Sequence, residues 1–256
     1  MSSAITSHSA PQRRRTIIVT GAGSGIGRAA AQLLLAQGWN VGLLGRTEQT
    51  LHETAAGADN ALVITADVAD VAQVRAAFDA TVQRFGTVDA LFNNAGIFGA
   101  AVNVGDLEPE EWDRVCAINL TGAINCAREA FNRMKAHGGR IINNGSISAQ
   151  VPRPNSVSYA VTKHAITGLT KSIELDGRAW NICASQIDIG NTASELLQGI
   201  GTQAGALQAD GSRKVEPSFP LEHAAQAVAY IANAPLSASI NQLTITAAGM
   251  PFIGRG

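Results

Sequence analysis

From position 16 almost to the end of the chain, short unbroken apolar runs alternate with longer stretches of helix-forming residues. Thr16-Ile17-Ile18-Val19-Thr20 is a β-branched run that stops at glycine and predicts a strand. Gly27 to Gln37 is rich in Ala and Leu, and Gly38 is a natural C-terminal stop. The alternation continues with a strand at 40–44, a helix near 48–56, a strand at 61–65, a helix over 70–85 and a strand at 88–92. A helix opening near Pro109 and a longer one spanning about 117–137 precede a strand at 140–144 and a long helix over 158–177. Strands at 181–187 and 242–246 flank a helix at 222–234.

Unbroken apolar strands are buried on both faces, and strict β/α alternation makes the connections crossovers. The expected fold class is therefore α/β, a doubly wound parallel sheet flanked by helices. Residues 193–218 depart from the pattern, with four glycines and little periodicity, and suggest a mobile lid over a site. Residues 1–15 read as a flexible tail ahead of one catalytic domain over 16–256.

Composition narrows the classes. The chain is 46% apolar and 15% charged over 256 residues, enough for a sizeable core in one domain. A net charge of −1 gives no general attraction to nucleic acid or membrane. Arg13-Arg14-Arg15 is the one basic cluster, and a solvated tail is the plainer reading for it than a phosphate contact. Cys116, Cys126 and Cys183 lack metal spacing and fit a reducing compartment. Residues 1–15 lack a signal-peptide core, and nowhere do about eighteen apolar residues run together, so a cytoplasmic location is expected.

Two groups of residues carry candidate chemistry. Thr20-Gly21-Ala22-Gly23-Ser24-Gly25-Ile26-Gly27 follows a strand and opens a helix. Gly21, Gly25 and Gly27 let the backbone turn tightly and approach a pyrophosphate at the helix start, with Ser24 and Ile26 in the same loop. The carboxylate that would hold a ribose 2′-hydroxyl is expected at the end of the second strand; Gly45 stands there, followed by Arg46. This favours NADP(H) over NAD(H), although Glu48 would serve a ribose if the strand ran further. Asp67-Val68 closes the third strand where an adenine edge would lie, an N-cap aspartate being the alternative. Asn93, Ala95 and Gly96 close the fourth beside the phosphates and nicotinamide ribose, or form a simple turn.

The second group is Tyr159 and Lys163, one helical turn apart and on one face, with Ser146 thirteen residues before the tyrosine. A free phenol has a pKa near ~10, and bringing it to about 7 needs roughly 4 kcal/mol of differential stabilisation. One ammonium about 4–5 Å away at an effective dielectric near 20 supplies about 3–4 kcal/mol before desolvation. A positively charged nicotinamide would add to this. Ser146 would orient the substrate oxygen, and Ser148 competes for that role.

With these residues in view, the chain resembles the short-chain dehydrogenase/reductase family in its shorter single-domain form. Thr20–Gly27, Asp67, Asn93–Gly96, Asn119, Ser146, Tyr159 and Lys163 carry the likeness, which runs from about Thr16 to Met250. It implies a Rossmann fold with seven parallel strands and a catalytic tetrad of Asn119, Ser146, Tyr159 and Lys163. Asn119 takes the place that holds a water in a proton relay through Lys163, and the distance to the tyrosine selects Ser146 over Ser148. Ile189 and Thr192 take the places that meet the nicotinamide carboxamide. The resemblance also implies a homodimer or homotetramer packed through helices at about 109–136 and 158–177.

One departure stands out. After the sixth strand the family usually carries Pro-Gly, whereas this chain has Ile187-Asp188, bringing a carboxylate near the cofactor mouth. The expected reaction is hydride transfer between NADP(H) and a small-molecule ketone/secondary alcohol pair. The pocket would draw on Ile97, Phe98, Gln150, Val151, Arg153 and the lid. A non-catalytic NADP(H)-sensing protein on the same fold is the alternative, and nucleic-acid binding through Arg13–Arg15 a weaker one.

Overall fold

The computed structural model describes residues 13–192 and 205–253. Strands β1 (Thr16–Thr20), β2 (Asn40–Gly45), β3 (Ala61–Thr65), β4 (Ala90–Asn93), β5 (Gly139–Asn144), β6 (Ile182–Ile189) and β9 (Gln242–Ile245) form one sheet. Their order is β3-β2-β1-β4-β5-β6-β9, and every pairing is parallel. The chain reverses direction across the sheet between β1 and β4, which opens a crevice at the strands' carboxyl ends.

Helices α1 (Gly25–Ala36) and α7 (Leu221–Asn233) cover one face. There Leu34 of α1 and Val228 and Ile231 of α7 join Ile17, Val19 and Leu43 in a fully buried cluster. Helices α3 (Val71–Phe85), α5 (Ala123–Met134) and α6 (Val157–Gly177) cover the other. A short α2 (Glu48–Ala55) joins β2 to β3. The α3 helix starts at Asp70, whose side chain accepts from the Ala72 and Gln73 amides, and stops at the left-handed Gly86.

The sequence places the helix boundary near 117 between two helices. Instead α4 (Pro109–Cys116) runs into α5 without a break, through a π-helical stretch over Ala117–Gly122. The extra residue in that turn aims Asn119 inward, and such turns occur often at functional sites.

Two other expectations change. Arg13, Arg14 and Arg15 are not simply solvated: Arg13 pairs with Asp89 at 2.6 Å and Arg14 faces Asp59 at 3.7 Å. Arg15 stacks over Trp39 at 4.1 Å and bonds Asn233. The basic cluster thus packs onto the domain; of the tail expected over 1–15, residues 1–12 lie outside the described residues. Of the proposed lid at 193–218, residues 193–204 also lie outside them. Residues 205–218 are patterned after all, carrying a small antiparallel hairpin of β7 (Ala206–Leu207) and β8 (Arg213–Lys214).

Because α1 and α7 meet through Leu34, which has no exposed surface, Leu34→Ala should destabilise the fold by about 2–5 kcal/mol. A urea midpoint indistinguishable from that of the parent would contradict this packing.

Candidate active site

The glycine loop leaves β1 with Gly21 and Gly25 in left-handed conformations, at φ 64° and 51°. At Gly27 the constraint is space: a Cβ there would lie 2.2 Å from the Gly21 carbonyl oxygen and 2.6 Å from Asn94 Nδ2. Gly27 therefore lets the loop fold onto α1, and it does not line the cleft. Thr20 and Asn94 bind the loop to β4. The Thr20 hydroxyl accepts from the Asn94 and Ala95 amides at 2.8 and 2.9 Å, and Asn94 Nδ2 donates to the Thr20 carbonyl.

The loop borders a cleft of about 610 Å³ at the carboxyl ends of β1 to β5. Of the residues that the sequence nominates for a dinucleotide, Gly21, Ser24, Gly25, Ile26, Arg46, Asp67, Val68, Ala95, Gly96, Tyr159 and Lys163 line it, whereas Gly27, Asn93, Ile189 and Thr192 do not. Asn93 points away from it. Its side chain is buried beneath the strand ends, donating to the Ala123 carbonyl and to Asn143, and Asn94 takes the place at the cleft. Gly23, Thr47 and Thr50 line it too; their small side chains gave no signal in the sequence.

At the second strand's end, Arg46 is exposed and makes no ion pair with any described residue. Glu48 faces His52 at 3.5 Å and stays off the cleft. Asp67 is not a helix cap, that role falling to Asp70. Asp67 accepts from the Ala69 amide and borders the cleft.

Next to this cleft lies a smaller cavity of about 100 Å³, bordered by Phe98, Ser146, Ser148, Arg153, Ile189 and Thr192 among others. Tyr159 forms a wall of both cavities, with Ile26 and Asn144. Its ring packs on Phe98 with centroids 4.9 Å apart. Lys163 Nζ sits 5.5 Å from the ring centroid and donates to the Asn144 carbonyl at 2.7 Å. Ser146 Oγ accepts from the Ser148 amide at 3.1 Å, so the two serines share one turn, a single 3-10 turn over Ile147–Ala149.

The electrostatics differ from the expectation of an acidified phenol. Burial pushes the Tyr159 phenol up from its ordinary value; the Ser146 hydroxyl opposes this, and the negative charge of Asp188 reinforces it. Burial lowers Lys163 to about 8, with Asp188 acting the other way.

Asn119 does not reach Lys163 directly. Its side chain clasps the Ile97 backbone, accepting from the amide and donating to the carbonyl, both at 2.8 Å, and donates to Thr162. Gln150, expected at the substrate pocket, turns instead to Asp188, and Val151 borders neither cavity. Arg153 is ion-paired with Glu216 beyond the hairpin, both side chains almost fully buried. Burial would raise Glu216, but Arg153, Asn191 and Gln208 outweigh it and hold the carboxyl down at about 2.

A parallel sheet with a glycine-lined crevice at its reversal point is the architecture of a dinucleotide-binding α/β enzyme. The chain belongs to the short-chain dehydrogenase family, whose sequence profile, "short chain dehydrogenase", matches residues 15–205. A trans-4-hydroxycyclohexanecarboxylate dehydrogenase of Sinomonas cyclohexanicum is 37% identical over 196 residues, 73% of this chain and 75% of its own. A 2-(R)-hydroxypropyl-CoM dehydrogenase of Xanthobacter autotrophicus is 41% identical over 192 residues, 72% of this chain and 77% of its own. Among solved structures, a 3-ketoacyl-(acyl-carrier-protein) reductase from Brucella melitensis complexed with NADH superposes with a TM-score of 0.82. It is 26% identical and the match covers 92% of this chain and 98% of that one. An alcohol dehydrogenase from Thermococcus sibiricus complexed with 5-hydroxy-NADP reaches 0.78 over 92% and 97% at 20% identity, a likeness of fold alone. As a member of this family, the protein is an oxidoreductase of alcohol and carbonyl groups.

Since no side chain fits between Gly27 and the Gly21 carbonyl, Gly27→Ala should displace the loop. Dinucleotide affinity, read by fluorescence titration, is expected to fall at least about tenfold with circular dichroism unchanged, a loss of about 1.4 kcal/mol. Undiminished affinity would mean the loop is not the phosphate cradle.

Proposed function

We propose that this protein transfers a hydride between NADP(H) and a small ketone or secondary alcohol, with Tyr159 as the general acid and base. The observation that carries the reading is that Tyr159 stands between the two cavities, with Lys163 on the dinucleotide side and Ser146 on the other. A phenol in that wall can reach a carbonyl oxygen lodged in the smaller cavity while the carbonyl carbon faces the larger one. The bound dinucleotide supplies or accepts the hydride.

Ser146 would donate to the substrate oxygen and fix its direction, and Tyr159 would add the proton as the carbonyl becomes an alcohol. Lys163 keeps a positive charge beside the phenol, which favours the phenolate left after donation. Asn119 acts one step removed, holding Ile97 at the cleft wall. Ile189 and Thr192 border the mouth, where they would meet the carboxamide end of the cofactor. No observation favours the sensing alternative.

Preference for NADP(H) rests on Arg46, a guanidinium with no ion pair among the described residues, on the cleft wall where a carboxylate would have repelled a 2′-phosphate. The pocket is read as taking a neutral substrate, because Glu216 already neutralises Arg153, the one cation at its mouth among the described residues. Apolar Ile124, Leu175 and Trp180 on the outer face of α5, α6 and the turn after α6 support a homo-oligomer. Free, scattered cysteines support a cytoplasmic location. Among the described residues no helix is long and apolar enough to cross a membrane.

Tyr159→Phe should lower kcat by about two to four orders of magnitude in a coupled NADPH assay while leaving the NADPH dissociation constant within about twofold. Retained turnover would remove Tyr159 as the acid. Arg46→Ala should weaken NADPH by about tenfold and leave NADH nearly unchanged, since a charge-assisted pair contributes about 1.5–3 kcal/mol. Equal losses for both dinucleotides would refute the assigned preference.

A further inference from the structure

Near the end of β6 this chain buries a carboxylate. Asp188 has no exposed surface. Its Oδ1 accepts from the Ser146 amide at 2.9 Å and from Gln186 Nε2 at 2.8 Å. Its Oδ2 accepts from Gln150 Nε2 at 2.9 Å and Gln242 Nε2 at 2.7 Å. These donors come from three segments: the turn after β5, which gives Ser146 and Gln150, β6 and β9. All four partners donate, a set that a carboxylate meets with both oxygens.

Room for this carboxylate is made by one other residue. A Cβ at Gly145 would lie 2.1 Å from Asp188 Oδ1 and 2.9 Å from Gln186 Nε2, so any side chain at 145 would expel it. Position 145 immediately precedes Ser146, which ties the cluster to the turn that presents the serine hydroxyl. Among the described residues Asp188 forms no salt bridge, and its oxygens are met by amide donors alone.

We propose that Asp188 is a positioning residue, a fixed buried carboxylate that anchors the Ser146 turn and places negative charge behind the Tyr159–Lys163 pair. The inference builds on the reading of Tyr159 as the acid and base. The charged groups that share this neighbourhood are Tyr159 and Lys163 on α6, and the Arg153–Glu216 pair at the mouth. Glu174, deeper on α6, is occupied by the Ala184 amide. β9 and the segment 144–150 carry no titratable side chain.

Negative charge favours the proton-bearing form of both partners. It raises the phenol and supports the ammonium against desolvation. The two titrate as a coupled pair, and the carboxylate moves the pair's first proton loss to higher pH. The pair is thereby kept loaded with the proton that carbonyl reduction consumes, and alcohol oxidation is confined to more alkaline conditions.

Spectroscopy tests this without turnover. The chain has two tyrosines, Tyr159 and the exposed Tyr230, so a Tyr230→Phe background leaves Tyr159 as the only phenolate chromophore. Asp188→Asn removes the charge while the glutamine amides can turn over to meet the new amide. The ultraviolet phenolate midpoint is expected to fall by about one pH unit, the order set by one charge at an effective dielectric near 20. In active protein, the alkaline limb of kcat for ketone reduction should shift downward with it. Asp188→Gly, which removes the whole side chain, should give the same direction. An unmoved midpoint in either folded variant would overturn the proposal, as would loss of the fold in both, which would leave Asp188 a purely structural group. Should no carbonyl substrate be turned over at all, the functional reading fails while the spectroscopic shift still decides this one.

Discussion

An ammonium that is 5% exposed must find its acceptors inside the protein, and Lys163 finds one in the Asn144 carbonyl. That carbonyl is available because Asn144 ends β5, where the ladder to β6 stops and the chain turns toward Ser146. One bond thus fixes the long helix α6 against the sheet's carboxyl edge, and the register of α6 then decides where Tyr159 stands. The phenol reaches the shared wall of two cavities because Lys163, one turn on, is already held.

The same edge explains the interlocking asparagines. Asn144 Nδ2 donates to Asn94 Oδ1, and Asn94 in turn holds the carbonyl of Thr20 at the mouth of the glycine loop. The phosphate-binding loop and the proton-transfer pair are therefore parts of one hydrogen-bonded rim. Asn119, set inward by the π-helical turn, extends the rim to Ile97. The side chains of this rim bond to one another and to the backbone at Thr20, Asn144 and Ile97, which restrains their positions.

Much of this is legible in the sequence. β1 and β3 run over the residues their apolar runs predict, and the other elements differ at their ends by one to a few residues. Burial on both faces explains the unbroken run of β1, whereas β3, at the sheet's edge, is only half-buried. The glycine loop and the Tyr159–Lys163 pair were legible because close backbone approach and helical spacing restrict residue type. What could not be read depends on distant partners. Asn93 and Asn94 are adjacent and chemically identical, and only the pleat of β4 decides which faces the cleft. Gln150 reads as a pocket polar group until Asp188 is seen beneath it. Arg153 reads as a free cation until the hairpin brings Glu216 to it across 63 residues. The π-helical stretch has no sequence signature, since its residues suit an ordinary helix.

The protonation state of the cofactor-free pair bears on direction. The phenol lies above its ordinary value and Lys163 near 8, so at neutral pH the resting form is a neutral phenol beside a charged amine. That form already holds a proton to donate and a cation to receive the phenolate that donation leaves. Oxidation of an alcohol would instead start from the phenolate, which burial disfavours until further positive charge enters the cleft. Burial thus protects the donor while it works against the ammonium, and the proton-loaded pair persists up to the range near 8 where Lys163 titrates. Under the proposed reading, the cofactor-free pair is loaded for donation, and its reversal depends on the charge of what binds beside it.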